Sequence, residues 1–305
     1  MGIHQANLSA KTHATLKMVV SMVIFGSIGY FTVLTDLRSY ELVFVRCISA
    51  TVFLILFWLL TDKYKAEQWS KKEVLQALAC GFFLVFNWVF LFKSFENTSI
   101  TVAISVYHLA PVLVLILGAI FYRERLTLLS VTSIILCFIG TVFISDLNAE
   151  SFRGQGVSAG IKWGLLAALF YAMTTLLSKG IQKLSPYATT FIQTGLGVIL
   201  LLPLIHLEEF HHLTASNWLA VTTTGIVHTG IVYLLFFDSV RNLSTKIISV
   251  LVFLDPAVAI LLDTLFLGFR PNALQNVGMI LIYSGMALTL VKSKQTKVER
   301  VSQDS

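Results

Sequence analysis

Apolar residues along this chain come in runs of about twenty, separated by short stretches of charged and turn-forming residues. A helix rises 1.5 Å per residue, so about 20 apolar residues carry it across the hydrocarbon core of a bilayer. By that measure ten spanning helices are predicted, over 16–35, 40–61, 73–93, 99–122, 127–145, 158–178, 187–207, 217–238, 244–267 and 272–291. The breaks coincide with turn chemistry such as Asp36, Ser185-Pro186 and Pro271-Asn272.

Composition turns that pattern into a solvent. Of 305 residues 56% are hydrophobic and only 12% charged, and the mean hydropathy is +0.81. A soluble domain carries about 25% charged residues, so this chain lacks the polar surface to face water all round. An all-α integral membrane protein is expected. Lys11 and Lys17 precede the first apolar run. That run is long for a signal peptide and lacks a small-residue cleavage site, so it reads as a retained first helix.

The basic residues set orientation. Alternate helix ends hold 16 Lys and Arg on one side and five on the other, with Arg46 inside the second span. That asymmetry places both termini in the cytoplasm, and an even number of crossings requires them to share a side. A multi-pass protein of the cell membrane, in bacteria the inner membrane, is expected. The net charge of +6 forms no basic stripe, so nucleic acid is not an expected partner. Cys47, Cys80 and Cys137 lie in apolar runs and read as inert buried thiols.

Sliding the chain against itself by 145 residues aligns Pro111 with Pro256, and 95–145 with 240–290 without a gap. Eleven positions of those 51 are identical, among them Asn97/Asn242, Arg125/Arg270 and Gly140/Gly285. Lys17 falls on Lys162, and Phe25 on Phe170. Duplication accounts for this, with cytoplasmic tails at 1–15 and 292–305, a first repeat at 16–145, an extracytoplasmic linker at 146–157 and a second repeat at 158–291. Five spans per repeat make the second copy enter from the opposite side. Inverted repeats of this kind are a recurring plan of secondary transporters, with the site at the repeat interface near midplane.

The stretch LAPVLVLILGAIFYRERLT (109–127) with Gly140, and LDPAVAILLDTLFLGFRPNALQNVGMILIYSGMAL (254–288), resemble the fourth–fifth and ninth–tenth helices of ten-helix EamA-type proteins of the drug/metabolite transporter superfamily. The carriers of the likeness are the mid-helix Pro, the helix-end Glu124 and the following Gly; Phe269 stands where the second copy usually has Glu. The resemblance implies helices 1–4 and 6–9 around a central cavity, with 5 and 10 at the periphery. It also implies gradient-driven movement of a small solute such as an amino acid, nucleoside or drug. No phosphate-binding loop is present, so ATP hydrolysis is not expected. No cofactor and no metal are expected, and the working unit is a monomer or homodimer.

Three ionisable groups fall at midplane on three spans: His108 near the centre of 99–122, His228 of 217–238, and Asp255 of 244–267. A charge at that depth costs about 2.5–3.5 kcal/mol on insertion scales, so such groups should face one another or water. Asp255 is the candidate proton- or cation-binding group, with His228 and His108 as its partners or as solute contacts. Pro111 and Pro256 remove helical hydrogen bonds, freeing the carbonyls of Tyr107 and Val252 as polar cavity linings. A buried His–Asp pair that only fixes packing is the competing reading.

Tyr107, Trp88, Tyr233, Asn87, Tyr171 and Gln193 form a second tier of cavity candidates; Trp88 and Tyr233 are equivalent under the 145-residue offset. Aromatic rings there offer stacking surface with one polar handle, although rings in such helices often only pack. Arg46 can snorkel to headgroups, pair with Glu41, or bind an anionic group. Asp263 near the outer mouth reads as solvated. Gly26, Gly29, Gly195 and Gly197 are hinge candidates by composition. HLEEFHH (206–212) lacks the HExxH spacing of a zinc protease and reads as a solvated, pH-responsive loop. The leading expectation is an exporter of amino acids or other small polar metabolites. Its rivals are a drug- or nucleoside-type carrier, an intramembrane enzyme built on Asp255 and a histidine, and a membrane scaffold.

Overall fold

Pro111 and Pro256 mark two of the places where a long apolar run fails to stay one α-helix. A computed structural model of the chain describes residues 2–98, 100–123, 126–144, 157–266, 270–285 and 287–288. Among them are α1 (Gly2–Gly26), α2 (Ile28–Val33), α3 (Ser39–Leu60), α4 (Lys71–Asn97), α5 (Ile100–Tyr107), α6 (Ala110–Phe121) and α7 (Leu128–Ile144). Then come α8 (Val157–Lys179), α9 (Pro186–Leu201), α10 (Ala215–Gly225), α11 (Val232–Asn242), α12 (Thr245–Leu251), α13 (Leu254–Phe266) and α14 (273–285). The described residues contain no strand.

These helices group into ten spans, because four spans are interrupted: α1–α2, α5–α6, α10–α11 and α12–α13. At the proline breaks the chain tightens to three-residue bonds, Leu109 N–H to the Val106 carbonyl at 3.1 Å and Phe253 N–H to Val250 at 3.2 Å. Between α10 and α11 it widens instead into a π turn, Ile226–Ile231, centred on His228. Ser27 ends α1 by turning its hydroxyl onto the Ile24 carbonyl at 2.8 Å.

The boundaries differ from the sequence reading by more than four residues at two ends. Helix α1 reaches back to Gly2, through most of the stretch expected as a tail, and α9 stops at Leu201, followed by a tight turn at Leu202–Leu204. Pro203 causes the second difference, since it cannot donate to the helix. Most of the linker expected at 146–157, the tail at 292–305, Glu124 and Phe269 lie outside the described residues.

The side-chain distribution is that of a protein in lipid. Leu16, Val20, Val52, Leu56, Leu59 and Ile199 are exposed, whereas Asn87, Thr190, Gln193, Thr194, Thr224 and Ser249 are wholly buried. Without a hydrophobic drive between helices, close packing and buried hydrogen bonds hold such a bundle. Helices Ser39–Leu60, Lys71–Asn97 and Ser158–Lys179, and the runs Pro186–Leu204 and Ala215–Asn242 with their turns included, are each long and apolar enough to cross a membrane.

The duplication appears as contacts that repeat on exchange of the halves. A methyl on Gly140 would lie 2.6 Å from the Gly278 carbonyl and 2.8 Å from Ile282; one on Gly285 would lie 2.7 Å from the Ser133 carbonyl and 2.6 Å from the Cys137 sulfur. Adding 145 to 133, 137 and 140 gives 278, 282 and 285. So α7 and α14 cross about the pseudo-two-fold axis, and only hydrogen fits at both glycines. Trp88 and Tyr233, also 145 apart, meet across the same axis, indole N–H to phenol oxygen at 2.9 Å. The protein is a bundle of two inverted five-helix repeats.

Candidate functional site

Rings close the centre between the repeats. Phe25 packs edge-on to Tyr233 at 5.3 Å, Tyr233 to Trp88 at 5.2 Å, and Tyr107 to Tyr171 at 5.7 Å. Trp88, Tyr171 and Tyr233 are buried, so the expected chamber is shut at this level. At one end of the bundle a cleft of about 380 Å³ remains, lined by Thr32, Asp36, Leu37, Arg38, Glu209 and His212.

Asp255 stands in the first turn of α13, just past the break. Among the described residues its carboxylate makes no hydrogen bond and no ion pair. The phenols of Tyr107 and Tyr171 lie within electrostatic range of it. Its backbone carbonyl lies against Gly26 of α1, where a methyl would approach to 2.8 Å. The Val252 carbonyl is not left free by Pro256 as expected: the tightened turn brings the Asp255 N–H onto it at 3.2 Å.

Neither histidine bonds to Asp255. His108 turns back on its own helix, its Nδ1 2.7 Å from the Ile104 carbonyl, and its ring stacks on Phe253 at 6.1 Å. A carbonyl only accepts, so Nδ1 carries the proton. His228, in the π turn, reaches Ser27 with Nε2 at 2.9 Å. Ser27 has one hydroxyl proton and gives it to Ile24, so His228 donates from Nε2. Both rings join helices, and Asp255 is left apart from them.

Arg46 is 1% exposed and therefore does not snorkel. Nor does it pair with Glu41, whose carboxylate accepts the His206 N–H at 2.9 Å. Its Nε donates to the Thr229 hydroxyl at 3.1 Å, its Nη2 to the His228 carbonyl at 3.3 Å, and its guanidinium sits 4.8 Å from the Trp88 ring centre and 5.6 Å from Phe92. The second tier divides. Asn87 clamps helices together, donating to the Ala167 carbonyl at 2.7 Å and to Tyr107 at 3.3 Å. Gln193 is wholly buried, with neither amide atom hydrogen-bonded among the described residues. Gly197 lies hard against Cys47, whereas none of the described residues stands within 4 Å of where a methyl on Gly195 would be.

The sequence reading passed over Ser27, Thr229 and a latch at the end of the bundle that carries Lys17. There Lys17 of α1 meets Asp238 of α11 at 2.5 Å, Lys179 reaches the Leu243 carbonyl at 2.8 Å, and Arg241 bonds the Leu184 carbonyl and the Thr189 hydroxyl. Apolar periodicity gives no sign of such partners, because they meet across the fold. At the opposite end Arg38 approaches Glu209 at 3.5 Å and His212 approaches Asp36 at 3.9 Å, so the histidine-rich stretch frames the open cleft. Among the described residues no three His, Cys, Asp or Glu side chains converge as metal ligands.

Comparison with known proteins accords with this architecture. The EamA-like transporter family matches residues 13–146 and again 158–291, one match per repeat. A protein of Bacillus subtilis (strain 168) named Uncharacterized transporter YxxF is 65% identical over 282 residues, covering 92% of this chain and 91% of its own. The Uncharacterized inner membrane transporter YicL of Salmonella typhimurium is 25% identical over 292 residues, 92% of this chain and 96% of its own. A solved crystal structure shares the fold at 18% identity, with a TM-score of 0.79 over 93% of this chain and 99% of that one. With the family pattern laid twice on two inverted halves that meet at Trp88 and Tyr233, this chain belongs to the EamA-like transporter family.

Proposed function

We propose that the chain is a gradient-driven secondary transporter that exports amino acids or similarly small polar metabolites by alternating access, with both termini in the cytoplasm and a proton as the coupling ion. What supports the coupling is the position of Asp255: an acid between the repeats, beside α1, with no partner among the described residues. An acid placed so can exchange a proton as the halves tilt, and its charge state then favours one orientation over the other. The rings of Tyr107, Tyr171, Trp88 and Tyr233 close the path between the two faces, as a chamber that opens to one side at a time requires. The names of the relatives point to transport rather than to an enzyme using Asp255.

Asp255→Asn tests the coupling. The amide is nearly isosteric, so the variant is expected to fold and to retain solute exchange at equal concentrations on both sides. It is expected to lose accumulation driven by a pH gradient. The solute is found first by comparing spent medium from cells with and without the gene, and flux is then measured in proteoliposomes. Undiminished pH-driven accumulation by Asp255→Asn removes Asp255 from the mechanism.

A further inference from the structure

Arg46 is a permanent cation buried among neutral partners. Among the described residues no carboxylate pairs with it, and its two protein acceptors, the Thr229 hydroxyl and the His228 carbonyl, are neutral. Thr229 is already committed, since its hydroxyl donates to the Thr224 carbonyl at 2.9 Å and offers Arg46 only a lone pair. The Nη1 group is fully buried, with no hydrogen-bond partner among the described residues. Arginine cannot shed its charge to relieve this. A buried charge without a counter-ion is costly, and a guanidinium meets a carboxylate with two parallel N–H donors.

The surroundings suit a ligand better than a purely structural role. The π turn at Ile226–Ile231 carries both acceptors, and single π turns often mark functional sites. The guanidinium lies over Trp88, whose indole N–H is held by Tyr233 from the other repeat. That pair sits on the axis about which the halves exchange. An anion at the guanidinium would therefore lie beside Trp88, one of the two residues that must part if the chamber opens.

We propose that Arg46 anchors the carboxylate of the transported solute, so that the cargo is a small carboxylic acid, held by Nη1 with its body against the Trp88 face. This rests on the transporter reading and adds the group that holds the cargo, which narrows small polar metabolites to acids. Glu41 and Asp255 are not substitutes for that anion: the first is spent on His206, and the second makes no ion pair among the described residues.

The test uses the full chain in lipid nanodiscs. Thermal stabilisation and quenching of tryptophan fluorescence are followed with the proteinogenic L-amino acids and short 2-oxo and 2-hydroxy acids, each beside its carboxamide. At least one acid is expected to bind, its carboxamide to bind about tenfold more weakly or worse, and Arg46→Lys, which keeps the charge but loses the fork, to weaken the acid by about tenfold. The acid–amide comparison on the unaltered chain decides even where an Arg46 variant fails to fold. The inference is overturned if no acid binds, if acid and amide bind alike, if Arg46→Lys leaves affinity within twofold, or if chloride or phosphate alone gives the same stabilisation. Counterflow in proteoliposomes separates the two readings. Acid binding without counterflow sinks transport and leaves the anchor; amide counterflow as fast as that of the acid sinks the anchor and leaves transport.

Discussion

The Lys17–Asp238 pair joins α1 of the first repeat to α11 of the second, with side chains 43% and 32% exposed. The 145-residue offset assigns it a counterpart at the opposite end: 17 + 145 gives Lys162, and 238 − 145 gives Lys93. Where one end has a cation and an anion, the other has two lysines, and Lys93 rests on the rings of Tyr40 and Trp163 at 4.7 and 5.1 Å. Under the proposed alternating access the two ends are therefore unequal in charge, which favours closure at the end with Lys17. An ion pair this exposed contributes about 0.2–1 kcal/mol, so Asp238→Asn is expected to shift the balance toward opening at that end by about 1.4- to 5-fold. Ser21, wholly buried one turn deeper on α1 with its hydroxyl on the Lys17 carbonyl at 2.8 Å, supplies the reporter. A cysteine placed there, with the buried Cys47, Cys80 and Cys137 as a slow background, is alkylated from each face of oriented vesicles. Labelling from the Lys17 face should rise by that factor in Asp238→Asn. Added salt should raise it in the parent and leave the variant unchanged, because salt screens the pair. Equal labelling at low ionic strength in parent and variant would refute the asymmetry.

Two further outcomes test the packing that carries the repeats. Gly140→Ala puts a methyl 2.6 Å from the Gly278 carbonyl and should cost about 1–3 kcal/mol by overpacking; Gly195→Ala, with nothing within 4 Å, should be neutral or gain up to about 1 kcal/mol of helix propensity, both read by thermal unfolding in detergent. Glu73, at the start of α4, accepts the N–H groups of Lys183 and Leu184 at 2.8 and 2.9 Å just ahead of α9, so Glu73→Ala should lose about 1.5–3 kcal/mol; Glu73→Gln, which keeps an acceptor oxygen, should lose less in the same assay.

Much of this was legible in the sequence alone. Runs of about twenty apolar residues specify spanning helices whatever their neighbours, because a backbone in hydrocarbon has to bond within itself. The 145-residue offset carries the inverted repeat and singles out Pro111, Pro256, Trp88 and Tyr233. What only the tertiary structure decided was which polar groups satisfy one another. His108, His228 and Asp255 share a depth in the sequence, yet the fold gives the two imidazoles to Ile104 and Ser27 and leaves the acid apart. Arg46 had three plausible fates, and its burial against Trp88, with Glu41 taken by His206, removed two of them. Depth follows from counting residues along one helix, whereas a hydrogen bond depends on the rotation and crossing of two; that relation enters the chain only through packing contacts far apart in sequence.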